Sequence, residues 1–139
     1  ALAGPAGWGD AGDTLPEVPF PIARLGFVTD YDRAALMRAS SVFCFPSLAE
    51  GFGLPVLEAM AAGAVVVTSS TTSTAEVGGD AAVLVDPTDV DALAAAMRRV
   101  LDDAPFADRL RSAAVLRAAE FSWDRTAAAT AEVYREVLR

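Results

Sequence analysis

Lysine, histidine, asparagine and glutamine are missing from this 139-residue chain, and cysteine occurs once. Without histidine there can be no Ser-His-Asp triad and no histidine metal site. One cysteine, Cys44, excludes a disulfide framework and a thiolate cluster; set in an apolar run, it reads as a small buried strand residue. All 11 basic residues are arginine, against 19 acidic ones, for a formal net charge of -8. A polyanion such as a nucleic acid is therefore not an expected partner, although a local basic site can still hold a phosphate. No basic-then-apolar leader opens the chain, and no apolar run reaches the ~18 residues of a membrane span. The expectation is a soluble, cytoplasmic protein. The chain does not begin with Met, and Ala1-Leu2-Ala3-Gly4 reads as the end of a strand, so a piece of a longer protein is expected.

What is present is globular in character: 53% hydrophobic and 22% charged residues, enough chain for one domain with a real core. Residues 5–19 are rich in Gly, Pro and Asp, which is loop chemistry. Ile22 to Val28 reads as a strand with Gly26 near its end, and Asp30 to Ala39 as a helix with Ala35, Leu36 and Ala39 on one face. Val42-Phe43-Cys44-Phe45, Val65-Val66-Val67 and Ala82-Val83-Leu84-Val85 are short apolar runs without alternation, as in strands buried on both faces.

Between the first two runs a helix is expected from Pro55 to about Ala62, with Gly63 as its C-terminal cap. A short helical turn is expected near Glu76. Thr88 to Asp91 starts a helix with an apolar face of Val90, Leu93, Ala94, Met97 and Leu101. A second helix starts near Pro105 and buries Phe106, Leu110 and Ala113. A third starts at Ser122, with Trp123, Ala127, Ala131, Tyr134 and Val137 on one face. Strands alternating with helices, then helices alone, predict an α/β fold: a Rossmann-like parallel sheet, helices on both faces, and a helical C-terminus.

The stretch from Phe45 to Gly63 carries the chemistry. A buried strand ends at Pro46, a loop bears Gly51 and Gly53, and a helix follows. In such folds ligands sit outside the carboxyl ends of the strands, where a helix N-terminus offers amide hydrogens to an anion. Gly51 and Gly53 let the backbone approach a ligand closely. Glu50 on the loop and Glu58 on the helix can face one pocket, and carboxylates accept paired hydrogen bonds from vicinal diols. The same residues also admit a plainer reading, in which Glu58 favours the helix start and the glycines make a turn.

Glu50, seven intervening residues and Glu58, set in Pro-Ser-Leu-x-Glu-Gly-Phe-Gly-Leu-Pro-x-Leu-Glu-Ala-Met-Ala-x-Gly, resemble the signature of retaining glycosyltransferases of the group 1 (family 4) type, which have the two-domain GT-B fold. Leu25-Gly26-Phe27-Val28, Leu36 to Phe43, Glu76 to Pro87, Phe121-Ser122-Trp123 and Val133-Tyr134 are similar to further family segments. The resemblance runs over roughly residues 20–139. It implies that residues 1–139 are one partial domain, the later part of the C-terminal, nucleotide-sugar-binding domain.

The resemblance also implies roles. Glu50 would be the catalytic residue, contacting hydroxyls of the transferred sugar. Glu58 would bind the ribose. The amides of Phe52, Gly53 and Leu54, with Gly51 beside them, would face the sugar and diphosphate, and Phe27 would sit by the base. The donor would be a nucleotide-diphosphate sugar and the acceptor a carbohydrate or lipid-linked molecule held by a missing N-terminal domain. No metal and no cofactor are implied.

The departures from the family pattern are specific. The Gly-Arg-x-Lys-Gly-like segment that grips the diphosphate is not here, and the usual Gly-Gly-x-Pro loop is replaced by Ser70 to Ala75. A non-catalytic nucleotide- or sugar-binding module therefore stays open as an alternative. In the strand order 3-2-1-4-5-6 the chain would lack strand 1, leaving an apolar edge at Val42 to Phe45 and a possible homodimer.

Overall fold

A computed structural model describes residues 1–4 and 18–139. Residues 5–17, most of the expected loop, lie outside the described residues. The chain divides into two compact units, Ala1–Leu36 and Met37–Arg139. In the first, β1 (Leu2–Ala3) and β2 (Arg24–Gly26) form a parallel pair, with Gly4 N–H donating to the Gly26 carbonyl at 2.8 Å. Helix α1 (Asp30–Ala39) follows, its Asp32 amide capped by the Thr29 hydroxyl.

The second unit is built on a three-stranded parallel sheet, β3 (Phe43–Phe45), β4 (Val66–Ser69) and β5 (Val83–Val85), in that spatial order. Phe43 faces Val66 across the first pairing, and Val67 faces Val83 across the second. Between the strands run α2 (Leu54–Ala61) and then α3 (Ser73–Gly78) with a 3-10 turn at Gly79–Ala81. After β5 come α4 (Val90–Asp102), α5 (Ala104–Ala118) and α6 (Trp123–Val137).

Side-chain alternation along the strands explains why the apolar runs show no polar gaps. Val66, Phe43 and Phe45 pack on one side with Val56, Ala59 and Met60 of α2 and Val77 of α3. Val65, Val67, Val42 and Cys44 pack on the other side with Ala96 and Val100 of α4 and Ala107 and Leu110 of α5. In β4 every position is inside, so the period-two signal vanishes there, whereas Leu84 in the middle of β5 is exposed, against the expected burial on both faces. Full burial of one such valine or methionine is worth about 1.5–3 kcal/mol.

Helix α5 contributes to both layers: Ala107 and Leu110 belong to one, Ala114 and Ala118 to the other. It passes the entry of β4, where Arg111 Nε donates to the Gly63 carbonyl at 3.1 Å. Gly63, at φ +81°, turns the chain out of α2 as a left-handed cap, as its position predicts.

Three expected helix faces differ from the structure. In α1 the buried residue is Met37, while Ala35, Leu36 and Ala39 are exposed. In α4 the inward stripe is Leu93, Ala96, Met97 and Val100, spaced i, i+3, i+4 and i+7, with Ala96 and Val100 buried; Leu93 and Met97 are half-buried as on the expected face, while Val90 and Leu101 are exposed. Alanine in a helix fits either a core or a surface position, so alanine-rich helices leave their rotation poorly marked. In α6 no residue is buried, and Trp123, Tyr134 and Val137 stand exposed.

Helices α4 and α5 meet at Asp103, which ends one and caps the other: its carboxylate accepts from the Phe106 amide at 2.9 Å. Asp103→Ala is expected to lower stability by about 1 kcal/mol, and Asp103→Asn to keep most of it. Urea unfolding checks both. At the other end of the sheet, among the described strands β3 pairs with β4 alone. An apolar edge of this kind favours pairing with a second copy across a two-fold axis. Light scattering on the chain should show a dimer, and a monomer at all concentrations overturns that expectation.

Candidate donor-binding site

Because β3, β4 and β5 are parallel, their carboxyl ends share one edge, where the loops after Phe45, Ser69 and Val85 begin. The first of these loops holds Glu50, Gly51, Phe52 and Gly53 and runs directly into α2 at Leu54. Glu58 lies in the second turn of that helix and is half-buried, as is Glu50. The structure therefore groups six of the seven expected site residues on one loop-helix unit. The seventh, Phe27, follows β2 in the other unit and is 87% exposed.

The two glycines have different reasons to be glycine. Gly53 caps α2 at φ +97°, ψ +44°, and a Cβ there would stand 2.7 Å from the Thr74 methyl. A Cβ on Gly51 would meet nothing within 4 Å. Gly53 is thus required by the fold, whereas space around Gly51 is open.

Helix α2 has no side-chain cap and no acidic residue in its first turn. In contrast, α3, α4, α5 and α6 are each capped by a side-chain oxygen, from Thr72, Asp89, Asp103 and Ser122. An uncapped N-terminus reached through a left-handed glycine presents amide dipoles to an anion. The side chains flanking it are engaged elsewhere. Phe52 meets Phe121 edge-on at 5.9 Å, and Phe52, Leu54 and Leu57 line an apolar cavity of about 400 Å³ with Phe121 and Trp123. Phe52 and Leu54 can therefore serve a polar ligand through their backbone.

A row of hydroxyls steadies the loop, and this part of the site was not recognised from the sequence. Thr68, Ser69 and Thr74 are fully buried. Thr68 Oγ1 donates to the Phe45 carbonyl at 2.9 Å, and Ser69 Oγ donates to the Ser47 carbonyl. Ser73 Oγ donates to the Glu50 carbonyl at 2.9 Å, and Thr74 Oγ1 to the Ser69 carbonyl at 3.1 Å. The signal was present: four hydroxyl residues in Thr71 to Thr74, immediately after a buried strand, are more than a turn needs. The partners of Thr68, Ser69 and Ser73 lie more than twenty residues away in sequence, so only the folded chain reveals them.

The lone thiol, Cys44, packs in the layer under α4, and burial pushes its pKa up, which disfavours a reactive thiolate. Among the described residues no helix is long and apolar enough to cross a membrane.

A parallel α/β sheet with a glycine loop and an uncapped helix at its carboxyl edge defines a class of ligand-binding domains. The comparison with known proteins narrows it: residues 22–117 match the family "Glycosyl transferases group 1", and the chain belongs to that family. It is 41% identical over 114 residues to the O-antigen chain mannosyltransferase B of Escherichia coli, covering 82% of this chain and 30% of that protein. It is 43% identical over 115 residues to the MMP alpha-(1->4)-mannosyltransferase of Mycolicibacterium hassiacum, covering 80% and 28%.

Among solved structures, sucrose-phosphate synthase from Thermosynechococcus elongatus is similar with a TM-score of 0.72 and 30% identity, covering 84% of this chain and 30% of that one. The fold is the Rossmann-like α/β arrangement of a GT-B C-terminal domain, in part. The chain spans roughly a third of the length of these relatives.

Proposed function

We propose that residues 1–139 are the later part of the donor-binding domain of a retaining glycosyltransferase, which moves a hexose from a nucleotide-diphosphate sugar to a carbohydrate or lipid-linked acceptor. The observation that carries this reading is the Gly53 turn into an uncapped α2, flanked by Glu50 and Glu58.

On this reading, breaking the glycosidic bond builds negative charge on the departing nucleoside diphosphate. The amides of Phe52, Gly53 and Leu54, with the α2 dipole behind them, stabilise that charge without reorganising. Gly51 leaves room for the ligand to approach the chain. Glu58 accepts hydrogen bonds from the ribose diol, and Glu50 from hydroxyls of the transferred sugar, holding its anomeric carbon toward the acceptor. For Phe27, in the other unit, a place by the base is implied by the family resemblance alone. The acceptor is held by another part of the full-length protein.

The test is calorimetric titration of the full-length protein with a panel of nucleotide sugars, followed by product analysis with carbohydrate and lipid-linked acceptors. Binding with transfer and retained anomeric configuration supports the proposal. Binding without transfer under any acceptor favours a non-catalytic nucleotide- or sugar-binding module. No binding overturns both readings.

A further inference from the structure

The Ser47 hydroxyl stands between two acceptors: Glu50 Oε1 at 3.1 Å and the Ala49 carbonyl at 3.0 Å. It has one hydrogen to give. We propose that Ser47 is a positioning residue for Glu50, its hydroxyl holding Oε1 so that the carboxylate keeps one orientation with and without the donor sugar. The proposal rests on the donor-binding reading above.

Three contacts make Ser47 a fixed point and not a mobile loop residue. Its amide donates to the Phe45 carbonyl at 3.0 Å, at the end of β3. Its carbonyl accepts from Ser69 Oγ, and Ser69 is fully buried at the end of β4. Ser69 is in turn tied to α3 through Thr74 Oγ1. The hydroxyl of Ser47 is therefore referenced to two strands and a helix.

Glu50 is less constrained. Its main chain is held by Ser73 Oγ, but its neighbours Ala49 and Gly51 are both exposed. A long carboxylate side chain on such a loop samples several rotamers unless one oxygen is held. A hydrogen bond from a hydroxyl to a carboxylate is stronger than one between two neutral groups. The carboxylate has two oxygens and about four acceptor sites, so the Ser47 hydrogen bond to Oε1 leaves room for hydroxyls of the transferred sugar.

Two measurements test this. On the isotope-labelled chain, side-chain scalar couplings of Glu50 should report one dominant χ1 rotamer in the wild type, averaging in Ser47→Ala, and one rotamer again in Ser47→Thr. In the full-length protein, Ser47→Ala should lower kcat about ten- to a hundredfold, the scale of a misplaced catalytic group. The donor dissociation constant should stay within about threefold. Ser47→Thr should recover most of the rate. Equal ordering of Glu50 with and without the hydroxyl overturns the proposal. So does a parallel loss of binding and rate in Ser47→Ala, which would mark a role in folding the loop alone. A wild type that neither binds nor transfers overturns the functional reading, while the coupling measurement still decides whether Ser47 holds Glu50.

Discussion

Gly53→Ala is expected to destabilise the chain by about 2–5 kcal/mol. Two physical terms contribute. A non-glycine residue held at φ +97° carries strain of about 1–3 kcal/mol. The new methyl, 2.7 Å from the Thr74 methyl, forces overpacking worth about 1–3 kcal/mol. The smaller entropy of the unfolded alanine chain returns about 0.4–1 kcal/mol. Thr74 cannot simply move aside: it is fully buried, and its hydroxyl holds the Ser69 carbonyl and pairs with Thr72 Oγ1 at 2.7 Å.

A double-mutant cycle separates the two terms. Thr74→Ser removes the methyl and keeps the hydroxyl, so in that background Gly53→Ala should cost about 1–3 kcal/mol less. Strict additivity in urea unfolding would show that packing against Thr74 is not the source. Gly51 is the internal control, because a Cβ there meets nothing in the empty site. Gly51→Ala should leave the unfolding midpoint almost unchanged while weakening donor binding. A glycine that is dispensable for the fold and needed for the ligand marks where the ligand approaches.

The part of the site that was legible in the sequence lies within one short segment. Phe45 to Gly63 contains a strand end, a glycine pair and a helix start in unbroken order, so local chemistry alone arranges Glu50, the amides and Glu58. The strand runs were legible for a related reason: burial on both faces leaves an uninterrupted apolar signal, as in Val65 to Val67. Helix rotation was less legible. Alanine carries little information about which side faces the core, and in α4 the actual stripe, Leu93 to Val100, is turned from the expected one that began at Val90. The hydroxyl row was illegible because its meaning is non-local. Ser69 and Ser73 act on the carbonyls of Ser47 and Glu50, more than twenty residues back, and a Ser/Thr loop by itself suggests only a turn.

The two carboxylates should separate cleanly by kinetics. A carboxylate holding two ribose hydroxyls is worth about 1.5–3 kcal/mol, so Glu58→Ala in the full-length protein should raise the donor dissociation constant roughly ten- to hundredfold. The effect falls on ground state and transition state alike, since the ribose is remote from the reacting bond, so kcat at saturating donor should change little. Glu50→Ala should do the reverse. Its hydroxyl contacts matter most as the sugar reorganises, so kcat should fall at least a hundredfold with a modest change in donor affinity. Glu58 also has a partner within the protein. Glu58→Gln, which keeps the volume and one acceptor oxygen, controls for that, and an unfolding midpoint close to the wild type would assign the binding loss to the ribose contact. Small and equal effects of Glu50→Ala and Glu58→Ala on both constants would contradict the roles assigned to the pair. A large kcat effect from Glu58 with none from Glu50 would exchange them.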